Sequence, residues 1–205
     1  MITIHGMLDS GNCYKPRLLM SLLGRPFRHA ETSSRDGSTH TADFLAMNPV
    51  GKVPLLVLED GRTLSESNAI LVYLAEGTAF VPQEPFIRAL MLQWLFFEQY
   101  SHEPYVAVRR SLMLYRERAA RATPERMQET LEGGQKALTV METRLSQSEW
   151  LAGEEPSLAD IALYAYTHDA QAGGFDLAPF PGIRAWLARV EALPGFRPMD
   201  WLPDA

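Results

Sequence analysis

The sequence predicts an α/β domain followed by an all-α helical-bundle domain. Three observations carry this reading. Short apolar runs alternate with turn signals before about residue 80, and long helical patterns dominate after it. The first part reads β-α-β-α-β-β-α. A length of 205 residues, 46% of them hydrophobic, suffices for two small cores. The expected boundaries are 1–77 for the α/β domain, 78–85 for a linker holding Pro82 and Pro85, and 86–205 for the helices.

Ile2-Thr3-Ile4-His5 alternates as a strand does. Leu18, Leu19, Leu22 and Leu23 recur at helical spacing, and Gly24 is the stop. Residues 27–32 read as a second strand, and 41–47 as a short helix ended by Asn48-Pro49. Residues 53–58 read as a buried strand. Asp60-Gly61 signals a two-residue hairpin turn, with Arg62-Thr63-Leu64 returning. A helix through Ala69–Leu74 then ends before Gly77. The β-α-β start implies parallel pairing and the hairpin an antiparallel edge, which together give the thioredoxin-like order.

In the second part, residues 86–100 are strongly apolar, and Pro104 is expected to kink or break their helix because it lacks a donor. Thr123-Pro124-Glu125 starts a helix that Leu131, Leu138, Met141 and Leu145 continue. Gly133-Gly134 weakens it by roughly 1 kcal/mol per glycine against alanine, which points to close packing there. Ser157-Leu158-Ala159-Asp160 opens the next helix as a capping box, and residues 183–193 form the last one.

Composition excludes several classes. The formal charge of −6, with no basic block to offset it, argues against nucleic acid. Arg109-Arg110 and Arg116-Glu117-Arg118 read as solvated helix faces. No apolar run nears the roughly 20 residues that span a bilayer, and the N-terminus has no signal-peptide pattern. One cysteine, Cys13, permits no internal disulfide and fits a reducing cytoplasm. No metal is expected.

Three segments carry chemistry. Ser10-Gly11-Asn12-Cys13-Tyr14-Lys15-Pro16-Arg17 lies between the first strand and the first helix, where unpaired N–H groups favour an anion. Redox proteins place Cys-x-x-Cys on such a turn; here a hydroxyl takes the first position and the lone thiol the second. Ser and Asn are equally the residues of an ordinary helix cap. Asn48-Pro49-Val50-Gly51-Lys52-Val53-Pro54 leads into the third strand, and Pro54 suits a strand start. Ser65-Glu66-Ser67-Asn68 begins a helix and so makes an anion site or a simple cap.

These segments, with the Ser157–Asp160 box in the expected place of the second domain, resemble the glutathione transferase superfamily over nearly the whole chain. The first is similar to the serine-type theta and zeta classes, and its Ser-x-Asn spacing to the Nu class. No tyrosine stands near Met7 to match the alpha, mu and pi classes, and the beta-class cysteine falls at Asn12. The resemblance implies that Ser10 and Asn12 contact the sulfur of glutathione, lowering its thiol pKa from roughly 8.5. It implies a cis Val53-Pro54 bond, with the Val53 backbone pairing the cysteinyl backbone like an added strand. It places the γ-glutamyl carboxylate on Ser67, its ammonium on Glu66, and the glycyl carboxylate on Lys52 and His40.

The implied activity is attack of the glutathione thiolate on a small electrophile. Asn12 favours a variant that reduces disulfides or peroxides with glutathione. A non-enzymatic binding or assembly module of the same fold is the competing class. The acceptor candidates are Tyr105, Arg109, Tyr115 and Tyr166, with Tyr100, His102 and Asp169 nearby, expected to line a cleft between the domains. Relatives imply a homodimer, with Phe44 and the helix from residue 86 to 100 as contacts.

Overall fold

The computed structural model describes residues 1–203 and divides into two compact units. The first is Met1–Glu76 together with the segment that begins at Leu193; the second is Gly77–Ala192. The sequence reading put everything after residue 86 with the helices. The structure moves the stretch after Leu193 to the α/β unit, for reasons of hydrogen bonding given below.

In the first unit β1 (Thr3–Gly6), α1 (Gly11–Leu22), β2 (Arg28–Glu31), α2 (Ala42–Met47), β3 (Leu55–Val57), β4 (Thr63–Ser65) and α3 (Ser67–Ala75) follow in the expected order. The sheet order is β2-β1-β3-β4, parallel between β1 and β2 and antiparallel elsewhere. This is the thioredoxin-like arrangement. Ile4, Leu18, Leu19, Leu55, Leu56, Ile70 and Leu71 are wholly buried on the two faces of the sheet and in the packed pair α1 and α3. Each such side chain contributes on the order of 1.5–3 kcal/mol.

The hairpin differs from the expected two-residue turn. Leu58 N–H donates to Arg62 O at 2.8 Å, which leaves three residues in the loop. Gly61 N–H closes a turn onto Leu58 O at 3.0 Å, with Gly61 at φ 84°. A turn followed by a left-handed glycine is the three-residue solution; Asp-Gly signals both geometries, and the flanking register selects between them.

α1 also binds the C-terminal segment. The Tyr14 hydroxyl donates to Arg197 O at 2.5 Å, Arg17 Nη2 to Met199 O at 2.8 Å, and Ser21 Oγ to Gly195 O at 2.6 Å. Arg17 also donates from Nη1 to Met7 O and from Nη2 to Leu8 O, at 3.1 and 2.8 Å, so carbonyls meet the two terminal nitrogens of this buried guanidinium.

The second unit holds α4 (Pro85–Phe97), α5 (Glu103–Leu114), α6 (Pro124–Leu145), α7 (Leu158–Thr167) and α8 (Pro181–Glu191). Glu84 caps α4, its carboxylate accepting from the N–H groups of Phe86 and Ile87 at 3.0 and 2.7 Å. Pro104 does not break the helix. Residues Glu98–His102 form a π-helical turn that joins α4 to α5, and Glu103 N–H reaches back to Glu98 O. The wider turn absorbs the register shift a proline forces, as such insertions do.

Gly133 and Gly134 on α6 are close approaches, as their weak helix propensity suggests. A Cβ at Gly133 would lie 2.3 Å from the Tyr105 ring, and one at Gly134 equally close to Phe175. Every residue of α7 is buried, Asp160 and Thr167 included. Its start is the capping box: Ser157 Oγ accepts from Ala159 N–H, and Asp160 Oδ2 from Ser157 N–H at 2.9 Å. No described helix is long and apolar enough to cross a membrane.

Candidate active site

Strand register gathers the three chemical segments at one end of the sheet. His5 pairs with Leu55, and Leu55 with Ser65. Continuing both ladders by one step sets Pro54 between Gly6 and Glu66. β1 runs out through Gly6 into the turn that carries Ser10, β3 enters through Val53-Pro54, and β4 leaves through Glu66. β2 lies parallel to β1, so the chain towards His40 departs from the same end.

The turn at α1 is fixed first by glycine. A Cβ at Gly6 would sit 2.8 Å from Cys13 Cβ and 2.9 Å from Cys13 Sγ, so only glycine admits the helix this close to the strand. Ser10 is the N-cap, extended at φ −95° and ψ 123°, and its Oγ accepts from Cys13 N–H at 3.4 Å. Asn12 is the second helical residue and half-buried. Cys13 is fully buried, and burial pushes its thiol up to about 11, so it lacks the thiolate a nucleophile needs.

The Val53-Pro54 peptide is cis. Asn48 builds the loop before it: its Nδ2 donates to Lys52 O at 2.8 Å and its Oδ1 accepts from Val50 N–H at 3.2 Å. Gly51 turns at φ 65°, with His40 Nε2 only 3.2 Å from where its Cβ would stand. The His40 ring therefore lies against this loop, beside exposed Lys52.

Glu66 is the N-cap of α3 and has φ 67°, the one described non-glycine residue in the left-handed region. Such a backbone costs on the order of 1–3 kcal/mol and is kept where its geometry is used. It holds the exposed carboxylate of Glu66 beside buried Ser67, the first residue of α3. Ser67 Oγ donates to Asn12 Oδ1 at 3.3 Å. The turn of α1 and the start of α3, far apart in sequence, thus meet through these side chains.

Sequence reasoning missed the group beneath them. Lys15 is wholly buried, and its Nζ donates to Asn12 Oδ1 at 2.8 Å, Ser67 Oγ at 3.2 Å and Asn68 Oδ1 at 3.3 Å. A signal existed: Lys15, Leu18 and Leu22 stand at i, i+3 and i+7, so this cation sits on the apolar stripe of α1.

The acceptor candidates of the helical unit each make contacts of their own. Tyr166 is buried on α7, and Tyr105 covers Gly133. Arg109 donates to Gly173 O at 2.7 Å and to Met127 O. The Arg118 guanidinium lies over the Tyr115 ring, 5.6 Å from its centroid. His102 is wholly buried against Thr167, whereas Tyr100 is 84% exposed. The Arg109-Arg110 pair is not a solvated face: Arg110 is buried and pairs with Asp169 at 2.5 Å. Both arginines point inward, to carbonyls and a carboxylate that sequence spacing does not reveal.

The fold defines a thioredoxin-like protein, with Ser10 as the N-cap of the helix that follows β1. Residues 9–76 match the glutathione S-transferase N-terminal domain, and residues 90–194 the glutathione S-transferase C-terminal domain. The chain belongs to the glutathione S-transferase family. A crystal structure of a glutathione S-transferase from Pseudomonas fluorescens Pf-5 is 51% identical, covers 97% of this chain and 98% of its own, and superposes with a TM-score of 0.93. The disulfide-bond oxidoreductase YfcG of Escherichia coli (strain K12) is 30% identical over 190 residues, 89% of this chain and 87% of its own length. Glutathione S-transferase GstB of the same organism is 28% identical over 99% of both chains.

Proposed function

We propose that the protein binds glutathione at the strand ends of its α/β unit and activates the thiol for attack on a small electrophile. The observation that carries this is the hydrogen-bonded junction of Asn12 and Ser67. It brings the turn of α1 and the start of α3 within one short ligand's reach, which supports a ligand held by both. Ser10 and Asn12 donate to the sulfur in this reading, which makes the protein serine-type, theta- or zeta-like, with a Nu-like Ser-x-Asn turn. Val53 pairs with the cysteinyl backbone, Glu66 and Ser67 hold the γ-glutamyl zwitterion, and Lys52 and His40 hold the glycyl carboxylate. Tyr105, Arg109, Tyr115 and Tyr166 remain the acceptor candidates, and the cytoplasm supplies the glutathione.

Asn12 supports a second reading, glutathione-dependent reduction of a disulfide or peroxide, and the similarity to YfcG gives that reading weight. Calorimetry tests what both share. Glu66→Ala and Ser67→Ala are each expected to weaken glutathione binding by about 1.5–3 kcal/mol, the worth of a charge-assisted hydrogen bond. Unchanged affinity in both variants would remove the ligand from this corner.

The protein is further proposed to be a homodimer. Phe44 no longer supports this, because it is buried in its own unit, edge-on to His5 at 6.3 Å. Phe86, Phe96 and Tyr100 do, being 67%, 71% and 84% exposed along one run of helix. Sedimentation at micromolar concentration is expected to give a dimer, and a monomer there refutes it.

A further inference from the structure

Lys15 has no part in the functional reading above, yet its position is costly. Burying an ammonium group requires hydrogen bonds to replace water. Its partners Ser67 and Asn68 are the first two residues of α3, so it also faces the positive end of that helix. An apolar residue in line with Leu18 would avoid both penalties. Among its hydrogen bonds are these to three side-chain oxygens, of which the shortest is to Asn12.

We propose that Lys15 is a positioning residue that locks the Asn12 amide with its NH2 edge turned to the glutathione sulfur. The proposal rests on the glutathione reading above. An amide has one accepting edge and one donating edge, and a half-turn about its last bond exchanges them. With Nζ at 2.8 Å from Oδ1, that half-turn would set N–H groups against an ammonium. The accepting edge therefore stays on Lys15 and the donating edge faces away from it. Ser67 Oγ also donates to Oδ1 at 3.3 Å. When a ligand carboxylate takes that hydroxyl hydrogen, Lys15 still holds the amide. Asn12 then offers a donor to the sulfur in every encounter, which favours thiolate over thiol.

The test is a double-mutant cycle read by ultraviolet thiolate absorbance of the glutathione complex against pH. Asn12→Ala is expected to raise the ionisation midpoint by about one unit, a tenfold change. Lys15→Met is expected to raise it about as much, and the double variant no further than either alone. Lys15→Gln keeps an N–H donor without the charge; it is expected to shift less, and again without adding to Asn12→Ala. That second cycle decides the matter if Lys15→Met does not fold.

Fully additive shifts would overturn the proposal, since Lys15 would then act as a separate charge. So would an unshifted Lys15→Met where Asn12→Ala does shift. These outcomes leave the glutathione reading intact. An unshifted Asn12→Ala overturns this proposal and the role of Asn12 at the sulfur, whereas a wild-type protein that binds no glutathione overturns the reading beneath it as well.

Discussion

Asp160→Ala is expected to destabilise the protein by about 3–5 kcal/mol, the scale of breaking a buried charged network. Asp160 is wholly buried on α7. Its Oδ1 accepts from Leu151 N–H at 3.0 Å and Trp186 Nε1–H at 2.9 Å. Its Oδ2 accepts from Ser157 N–H at 2.9 Å and Ser157 Oγ–H at 3.1 Å. Four donors fill the lone pairs of one carboxylate and tie the start of α7 to the loop before it and to α8. Alanine leaves those donors buried without an acceptor, and each such group costs roughly 1–3 kcal/mol. Asp160→Asn is expected to lose less, because one oxygen survives while the new NH2 faces N–H groups. Urea unfolding followed by far-ultraviolet circular dichroism measures both. A loss under about 1 kcal/mol in the alanine variant would mean that water or a shifted loop takes over the four bonds.

The second large effect falls on chemistry. The double variant Ser10→Ala, Asn12→Ala is expected to raise the pH at which bound glutathione ionises by about 1–2 units. That corresponds to roughly 1.4–2.8 kcal/mol of lost thiolate stabilisation. Both donors favour the charged form, so their loss moves the midpoint up, and turnover near neutral pH falls by about ten- to a hundredfold. Affinity changes little in this account, since Glu66 and Ser67 hold the other end of the ligand. Neighbouring donors on one turn couple, so the double loss is expected to exceed the sum of the single ones. Cys13→Ser serves as the control and keeps most of its activity, because a thiol pushed up to about 11 by burial is protonated at neutral pH. An unchanged titration in the double variant would show that neither residue touches the sulfur.

Elements with a local signature were legible in the sequence. Alternation found β1, capping residues found the starts of α6 and α7, and the change near residue 80 separated the sheet from the helices. The cis bond at Pro54 came only from the family resemblance, because its environment is built by segments distant in sequence. Three features escaped for identifiable reasons. Pro104 signals a kink or a break, and the sequence gives no sign that a π-helical turn will absorb it. Arg109 and Arg110 were read as solvated because charge in a polar stretch does not reveal a carbonyl or carboxylate waiting on another element. Lys15 was passed over for the same reason, although its place on the apolar stripe was visible. In the candidate site, the polar residues that begin α1 and α3 were readable from their place before helices. The side chain that joins them was not.

The grip of α1 on the segment after Leu193 has a consequence for how the chain is made. Translation delivers the sheet strands first and then the whole of the helical unit. Only afterwards do the carbonyls of Gly195, Arg197 and Met199 arrive to meet Ser21, Tyr14 and Arg17. The α/β unit is therefore discontinuous, and a nascent chain carries it unfinished while the unit inserted into it can already fold. A fragment ending at residue 76 would retain every strand and still leave the buried Arg17 guanidinium short of a carbonyl. The helix that presents Ser10 and Asn12 is thus completed last, by residues distant from it in sequence.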